Sequence, residues 1–176
     1  FGAHPDDIEI FMFGLLCAYK EQKHEIFLAI ATDGSKGEEK PSKNLPDIRL
    51  KETKAALEPL GNPTMLGLKD GELSYTNEAE KIIKNYIKSI NPDIIITHYK
   101  NDYHPDHRSL SSYIQNAVGF SIPIIFCDTL MGLGFQPNIY FNITNYINIK
   151  RKAILLHKSQ KPEKYVYMTE IMNKFR

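Results

Sequence analysis

The chain has 176 residues, a formal net charge of +1, 42% hydrophobic and 24% charged residues. That length suits one domain with a sizeable core, and so balanced a charge gives no electrostatic case for nucleic acid or an anionic membrane as partner. Cys17 and Cys127 stand among apolar residues without C-x-x-C spacing and read as buried free thiols of a reducing, cytoplasmic compartment, and no run approaches the roughly 18 apolar residues of a membrane span.

Strand and helix signals alternate along the chain, the pattern of βαβ units and a mostly parallel sheet. Phe1-Gly2-Ala3 is the stub of a first strand. Ile8 to Gln22 has helical spacing with Ile8, Phe11, Leu15 and Leu16 on one face, and Glu25 to Ala31 is a continuous apolar strand. Thr32-Asp33-Gly34 breaks that strand, and a polar loop with Gly37 and Pro41 runs to about Pro46. Asp47 is expected to cap the next helix, with Leu50, Ala56, Leu57 and Leu60 on its apolar face and Gly61 behind it. Thr64 to Leu68 is a short strand, Asp70-Gly71 a turn, and Asn77 to Ile90 an amphipathic helix. Pro92-Asp93 introduces the strand Ile94 to Thr97, followed by a loop to Asp106 and a helix from about His107 to Ala117. Pro123 to Cys127 and Ile139 to Ile143 are the remaining strand expectations, and helices near Tyr146–His157 and Glu163–Lys174 follow. No repeat or boundary is visible, so a single domain over residues 1–176 is expected, truncated at both ends.

Two clusters carry the chemistry. His4-Pro5-Asp6-Asp7 sits where the first strand hands over to a helix, at the sheet edge that binds ligands in open α/β folds. Pro5 fixes the backbone, and the adjacent carboxylates must point in different directions. One can bind a metal while its neighbour faces the open coordination position as a base. His104-Pro105-Asp106-His107 follows the apolar run Ile94-Ile95-Ile96 in the same way. A His and a carboxylate from the first loop with one distant His give the three-protein-ligand pattern of catalytic zinc. Within the second cluster both histidines could be ligands, or one could bind metal while the other contacts substrate. Asp106 is expected to orient and charge an adjacent imidazole, or else to cap the following helix.

With Thr32-Asp33-Gly34, the Arg49 helix ending in Leu60-Gly61, Asp70-Gly71 and His157-Lys158-Ser159-Gln160, these clusters resemble the PIG-L/LmbE-type zinc de-N-acetylases over nearly the whole chain. The resemblance implies a Rossmann-like three-layer α/β sandwich with its active site at the C-terminal edge of the strands. It implies one Zn2+ on His4, Asp7 and His107, with Asp6 as general base and His104 stabilising the oxyanion. The implied substrate is a small amino sugar of the N-acetylglucosamine type, free or conjugated, from which an acetyl group is removed. Arg49 is expected on a polar part of the substrate, and Asp33 and Asp70 on its sugar hydroxyls. His98 is expected beside the active loop or in the core, and His157 in a structural role. The reading leaves room for a homo-oligomer. Two rivals stand beside it: a non-haem Fe(II) oxygenase built on the same two-His-one-carboxylate set, and a non-catalytic carbohydrate- or nucleotide-binding module.

Overall fold

The computed structural model describes residues 1–37 and 42–176; the expected turn residue Pro41 lies outside them. Four parallel strands form the scaffold, β1 (Ala29–Thr32), β2 (Thr64–Leu68), β3 (Ile95–His98) and β4 (Ile124–Cys127), with β1 paired to β2 and β3 to β4. Residues 1–3 join the two pairs. Gly2 exchanges backbone hydrogen bonds with Ala29 and Ala31 on one side, and Phe1 N–H donates to the Ile96 carbonyl on the other at 2.8 Å. The order is therefore β2, β1, residues 1–3, β3, β4, with parallel pairing between β2 and β1, between β1 and Gly2, and between β3 and β4.

Helices cover both faces, the physical requirement for a parallel sheet. Ile8, Met12, Phe13, Leu16, Ile30, Ala56, Leu57 and Ile96 form one buried cluster, with α1 (Phe13–Glu21), α2 (Leu45–Leu57) and α5 (Ile147–Leu155) on that side. Ala31, Ala79, Ile83, Ile87, Ile95, Leu110 and Ile114 form the other, from α3 (Asn77–Ile90) and α4 (Pro105–Val118). Neighbouring strand residues such as Ile95 and Ile96 thus serve opposite layers, the three-layer sandwich expected. A last helix, α6 (Glu163–Phe175), packs Val166 against Ile10 and Ile154. Among the described residues, no helix is long and apolar enough to cross a membrane.

Four expectations need correction. The strand expected from Glu25 is laddered only from Ala29, because its partner β2 begins at Thr64, and Phe27 is exposed. Asp47 is not a cap: α2 starts two residues earlier, where Pro46 sits in the first turn that tolerates a missing N–H. Likewise Asp106 does not cap α4, which begins at Pro105 behind His104. Ile139 to Ile143 forms no strand; residues 139–141 are exposed, and Ile143 presses close to Gly14, where an added Cβ would come within 2.8 Å of it.

Candidate active site

The loops after residues 1–3, β1, β2 and β3 meet at the carboxyl edge of the sheet. With Ile10, Phe11, Leu130, Gln160 and Tyr165 they line an open cavity of about 190 Å³. Both clusters singled out in the sequence arrive there: His4, Asp6, Asp7, His104 and His107 all face it.

Asp6 is the strained point of the site. Its φ is 127°, a left-handed backbone that costs an ordinary residue about 1–3 kcal/mol. The chain then enters a π-helical turn, Ile8–Met12, before α1 begins. The adjacent carboxylates point apart. Asp6 Oδ1 lies 3.2 Å from Arg49 Nη2, whereas Asp7 turns to the histidines. Burial, together with the charge of Asp7, pushes the Asp6 carboxyl up to about 6 even against Arg49.

Asp7 is the hub. Its Oδ2 accepts the His4 backbone N–H at 2.7 Å and lies 3.3 Å from His4 Nδ1, and its Oδ1 lies 3.3 Å from His107 Nε2. Burial works against its charge, but His107 and His98 outweigh burial and hold it well below the usual carboxylate range. His4 Nε2 in turn sits 3.2 Å from Asp106 Oδ2 and 3.3 Å from Asp70 Oδ1. Burial disfavours its charge, and hydrogen bonds to Asp106, Asp7 and Asp70 more than offset that, raising its pKa well above the ordinary value.

His104 caps α4: its Nδ1 accepts the Asp106 N–H at 3.2 Å, so the proton of the neutral ring is on Nε2. Asp106 favours the charged form of His104, as expected, but burial with the neighbouring His4 and His107 outweighs it and lowers the His104 pKa; the Asp106 carboxylate itself accepts Gly71 N–H at 2.7 Å and contacts His4. Arg49, expected on substrate, borders the cavity but is 3% exposed. Its Nη1 donates to the Gly34 carbonyl at 3.0 Å and its Nη2 to the Pro5 carbonyl at 2.5 Å. Asp70 lines the cavity, with Oδ2 accepting Lys36 N–H at 2.9 Å. Asp33 is not among the lining residues; it accepts Ser35 N–H and Asp70 N–H and pairs with Lys69 at 2.9 Å.

Asp102, which the sequence reading did not single out, and His98, expected beside the active loop or in the core, stand directly behind the histidines. Asp102 Oδ2 faces His107 Nδ1 at 3.2 Å and Oδ1 accepts His104 N–H at 2.8 Å. With burial opposing it, the contact with Asp7, and then that with Asp102, raises the His107 pKa to about 9. His98 stacks on His107 with ring centres 3.6 Å apart, and its Nε2 lies 3.1 Å from Ala3 N and 3.0 Å from Asp7 Oδ2; burial, with His107 beside it, lowers its pKa to about 4. A carboxylate two residues before His104 was the available signal for Asp102.

The donors suit a zinc-like ion. Nitrogen and carboxylate oxygen are its usual ligands, and tetrahedral bonds of about 2.0–2.1 Å put ligand atoms about 3.3 Å apart. Asp7 holds that spacing to both His4 and His107. Among the described residues three groups bring ligand atoms within 4.8 Å of one another: His4–His104–His107, Asp7–His98–His107 and His4–Asp70–Asp106. The expected trio of His4, Asp7 and His107 is spread over the first two, which share His107; Asp7 meets His4 through Oδ2 and His107 through Oδ1.

The family model described as PIG-L, GlcNAc-PI de-N-acetylase, matches residues 1–118. A diacetylchitobiose deacetylase from Thermococcus kodakarensis is 29% identical over 182 residues, which span 91% of this chain and 68% of that protein. The structure of N,N'-diacetylchitobiose deacetylase from Pyrococcus horikoshii superposes with a TM-score of 0.83 at 26% identity, covering 98% of this chain and 73% of that one. Two more distant structures share the fold. The conserved protein TT1542 from Thermus thermophilus has a TM-score of 0.83 at 24% identity, over 99% of this chain and 84% of its own. The 4-carboxy-2-hydroxymuconate hydratase of Pseudomonas putida has 0.77 at 18%, over 97% and 81%. The family match takes in both histidine–aspartate clusters and most of the sheet, and this chain belongs to the PIG-L, or GlcNAc-PI de-N-acetylase, family.

Proposed function

We propose that the chain is a zinc-dependent hydrolase that removes the acetyl group from an N-acetylglucosamine-type amino sugar or its conjugate. The observation that carries this reading is the split pair Asp6 and Asp7. One carboxylate is committed to two imidazoles at 3.3 Å, and the other is held beside the cavity with its carboxyl near 6. The Thermococcus and Pyrococcus relatives are diacetylchitobiose deacetylases, which supports the same substrate class.

His4, Asp7 and His107 would hold the zinc, which when bound polarises the amide carbonyl and makes water nucleophilic near neutral pH. Asp6 accepts a proton from the attacking water as its oxygen bonds to the carbonyl carbon. It returns that proton to the nitrogen as the C–N bond breaks, leaving acetate and a free amine. His104 Nε2–H donates to the carbonyl oxygen as negative charge grows there. Asp106 holds His4 from the side opposite Asp7, through the other ring nitrogen. Asp70 offers an acceptor for a sugar hydroxyl at the cavity wall, and Asp33 steadies the Asp70 loop through its bond to Asp70 N–H. The reading is tested by acetate release from N,N'-diacetylchitobiose and from N-acetylglucosamine conjugates. Asp6→Asn should keep its zinc and lose about 10²–10⁴-fold in turnover, while Asp7→Asn should lose zinc. Zinc-loaded wild-type protein that releases no acetate from any of them refutes the reading, and exchanged phenotypes reverse the roles of the two carboxylates.

A further inference from the structure

Next to Asp6 lies a buried polar cluster that the reaction above does not use. Glu9, inside the π turn, is fully buried, and its Oε1 accepts a hydrogen bond from His157 Nε2 at 2.8 Å across 148 residues of sequence. Neither residue lines the cavity. His157 opens a short turn, Lys158–Gln160, which is tied to α2 by Ser159: its N–H and its hydroxyl both donate to Glu52, at 2.9 and 2.7 Å. Glu52 is one helical turn beyond Arg49, the residue that bonds the Pro5 carbonyl and the Asp6 carboxylate. The two restraints on Asp6 therefore run back to one place. The π turn, whose Ile10 N–H holds the Asp6 carbonyl at 3.0 Å, reaches His157 through Glu9, and Arg49 reaches the same turn through α2.

Such a cluster is a poor device for stability alone. Glu9 Oε2, His157 Nδ1, Arg49 Nε and Thr53 Oγ1 are buried without a hydrogen-bond partner among the described residues, and each is a cost to the fold. A buried ion pair is by itself weak support for folding. What the cluster does is hold an otherwise unfavourable backbone. A π turn carries one residue more per hydrogen-bonded loop than an α-turn and is found mostly at functional sites. Relaxing it into α-helical register would rotate Asp6 relative to Asp7. We propose, resting on the hydrolase reading above, that Glu9 and His157 are positioning residues for the base: their hydrogen bond pins the π turn and so fixes the left-handed backbone that separates Asp6 from Asp7.

The test compares zinc-loaded wild type, Glu9→Gln, Glu9→Ala and His157→Ala for kcat and KM on N,N'-diacetylchitobiose, together with zinc stoichiometry and Tm. Both alanine variants should lose about 10²-fold in kcat, the effect of misplacing a reacting group by about 1 Å, with KM and bound zinc unchanged. Glu9→Gln, which keeps the length and an acceptor for His157, should recover most of kcat. Should the alanine variants fail to fold, His157→Asn, with a shortened reach, carries the same expectation. Variants that melt lower but keep the wild-type kcat overturn the proposal, because the pair is then structural only. Loss of zinc overturns it too, since the pair then serves Asp7. A wild type inactive on every acetylated sugar removes the functional reading and this proposal together, whereas an active wild type with unaffected variants removes this proposal alone.

Discussion

Replacing Arg49 separates support of the base from contact with substrate. Its guanidinium is 3% exposed and reaches the carbonyls of Pro5 and Gly34 and the Asp6 carboxylate. Arg49→Ala leaves a buried carboxylate without its cation, and breaking such a pair costs about 3–5 kcal/mol. For a domain of this size each kcal/mol moves Tm by about 2–4 °C, so the fall should be about 6–20 °C. Arg49→Lys should recover only part of it, because one ammonium cannot reproduce the fork that serves both carbonyls and Asp6. Thermal melts followed by circular dichroism in zinc-saturated buffer give the numbers, and a double-mutant cycle with Asp6→Asn apportions them. In the Asp6→Asn background the charge left unpaired is gone, and the same alanine substitution should cost far less. An Arg49→Ala protein that melts like the wild type and shows only a raised KM refutes this reasoning and returns Arg49 to the substrate.

The two histidines of the second cluster should part company. His104→Ala should keep zinc and lose about 10²–10³-fold in kcat, the usual worth of one oxyanion donor, while His107→Ala should lose the metal; zinc loss from both makes His104 a ligand. The thiols should be inert in the folded protein. Cys127 is buried as expected and Cys17 only half-buried; burial pushes the first up to about 12 and the second up to about 11, so neither has an appreciable thiolate fraction at pH 8. Ellman's reagent should be consumed slowly until denaturant is added, faster as pH is raised, and prompt reaction of either native thiol refutes the burial argument.

Elements whose ends are set by local chemistry were legible in the sequence. α3 runs from Asn77 to Ile90 as its periodicity predicts, because the Thr76 hydroxyl accepts Ala79 N–H at one end and Asn91 takes the left-handed conformation at the other. β2 likewise keeps its expected bounds. The misreadings lie where a distant partner decides. Glu25 to Leu28 and Ile139 to Ile143 are apolar enough for strands, yet a strand exists only where a neighbour supplies the ladder. Sequence spacing brought both histidine–aspartate clusters to one edge, as the sheet order requires. It could not say which imidazole each carboxylate would face. Asp106 lies two residues from His104 yet turns its side chain to His4, 102 residues away, and Glu9 looks like an ordinary helix glutamate until His157 is placed against it.

The sheet edge alone does not choose the reaction. A hydratase from Pseudomonas putida has the same fold at 18% identity, and a fold can carry unrelated chemistries by changing side chains on its loops. Both kinds of reaction need water delivered beside a base. Amide hydrolysis has a further demand, because the departing nitrogen is a poor leaving group until it is protonated. A carboxylate that only binds metal cannot meet that demand, and Asp7 is held ionised chiefly by His107. Asp6 can meet it. Burial raises its carboxyl to about 6, close enough to neutrality both to accept the proton of water and to give it up again. On the proposed hydrolase reading, two neighbouring residues of one type carry opposite duties, and the 127° backbone angle at Asp6 marks the point where they diverge.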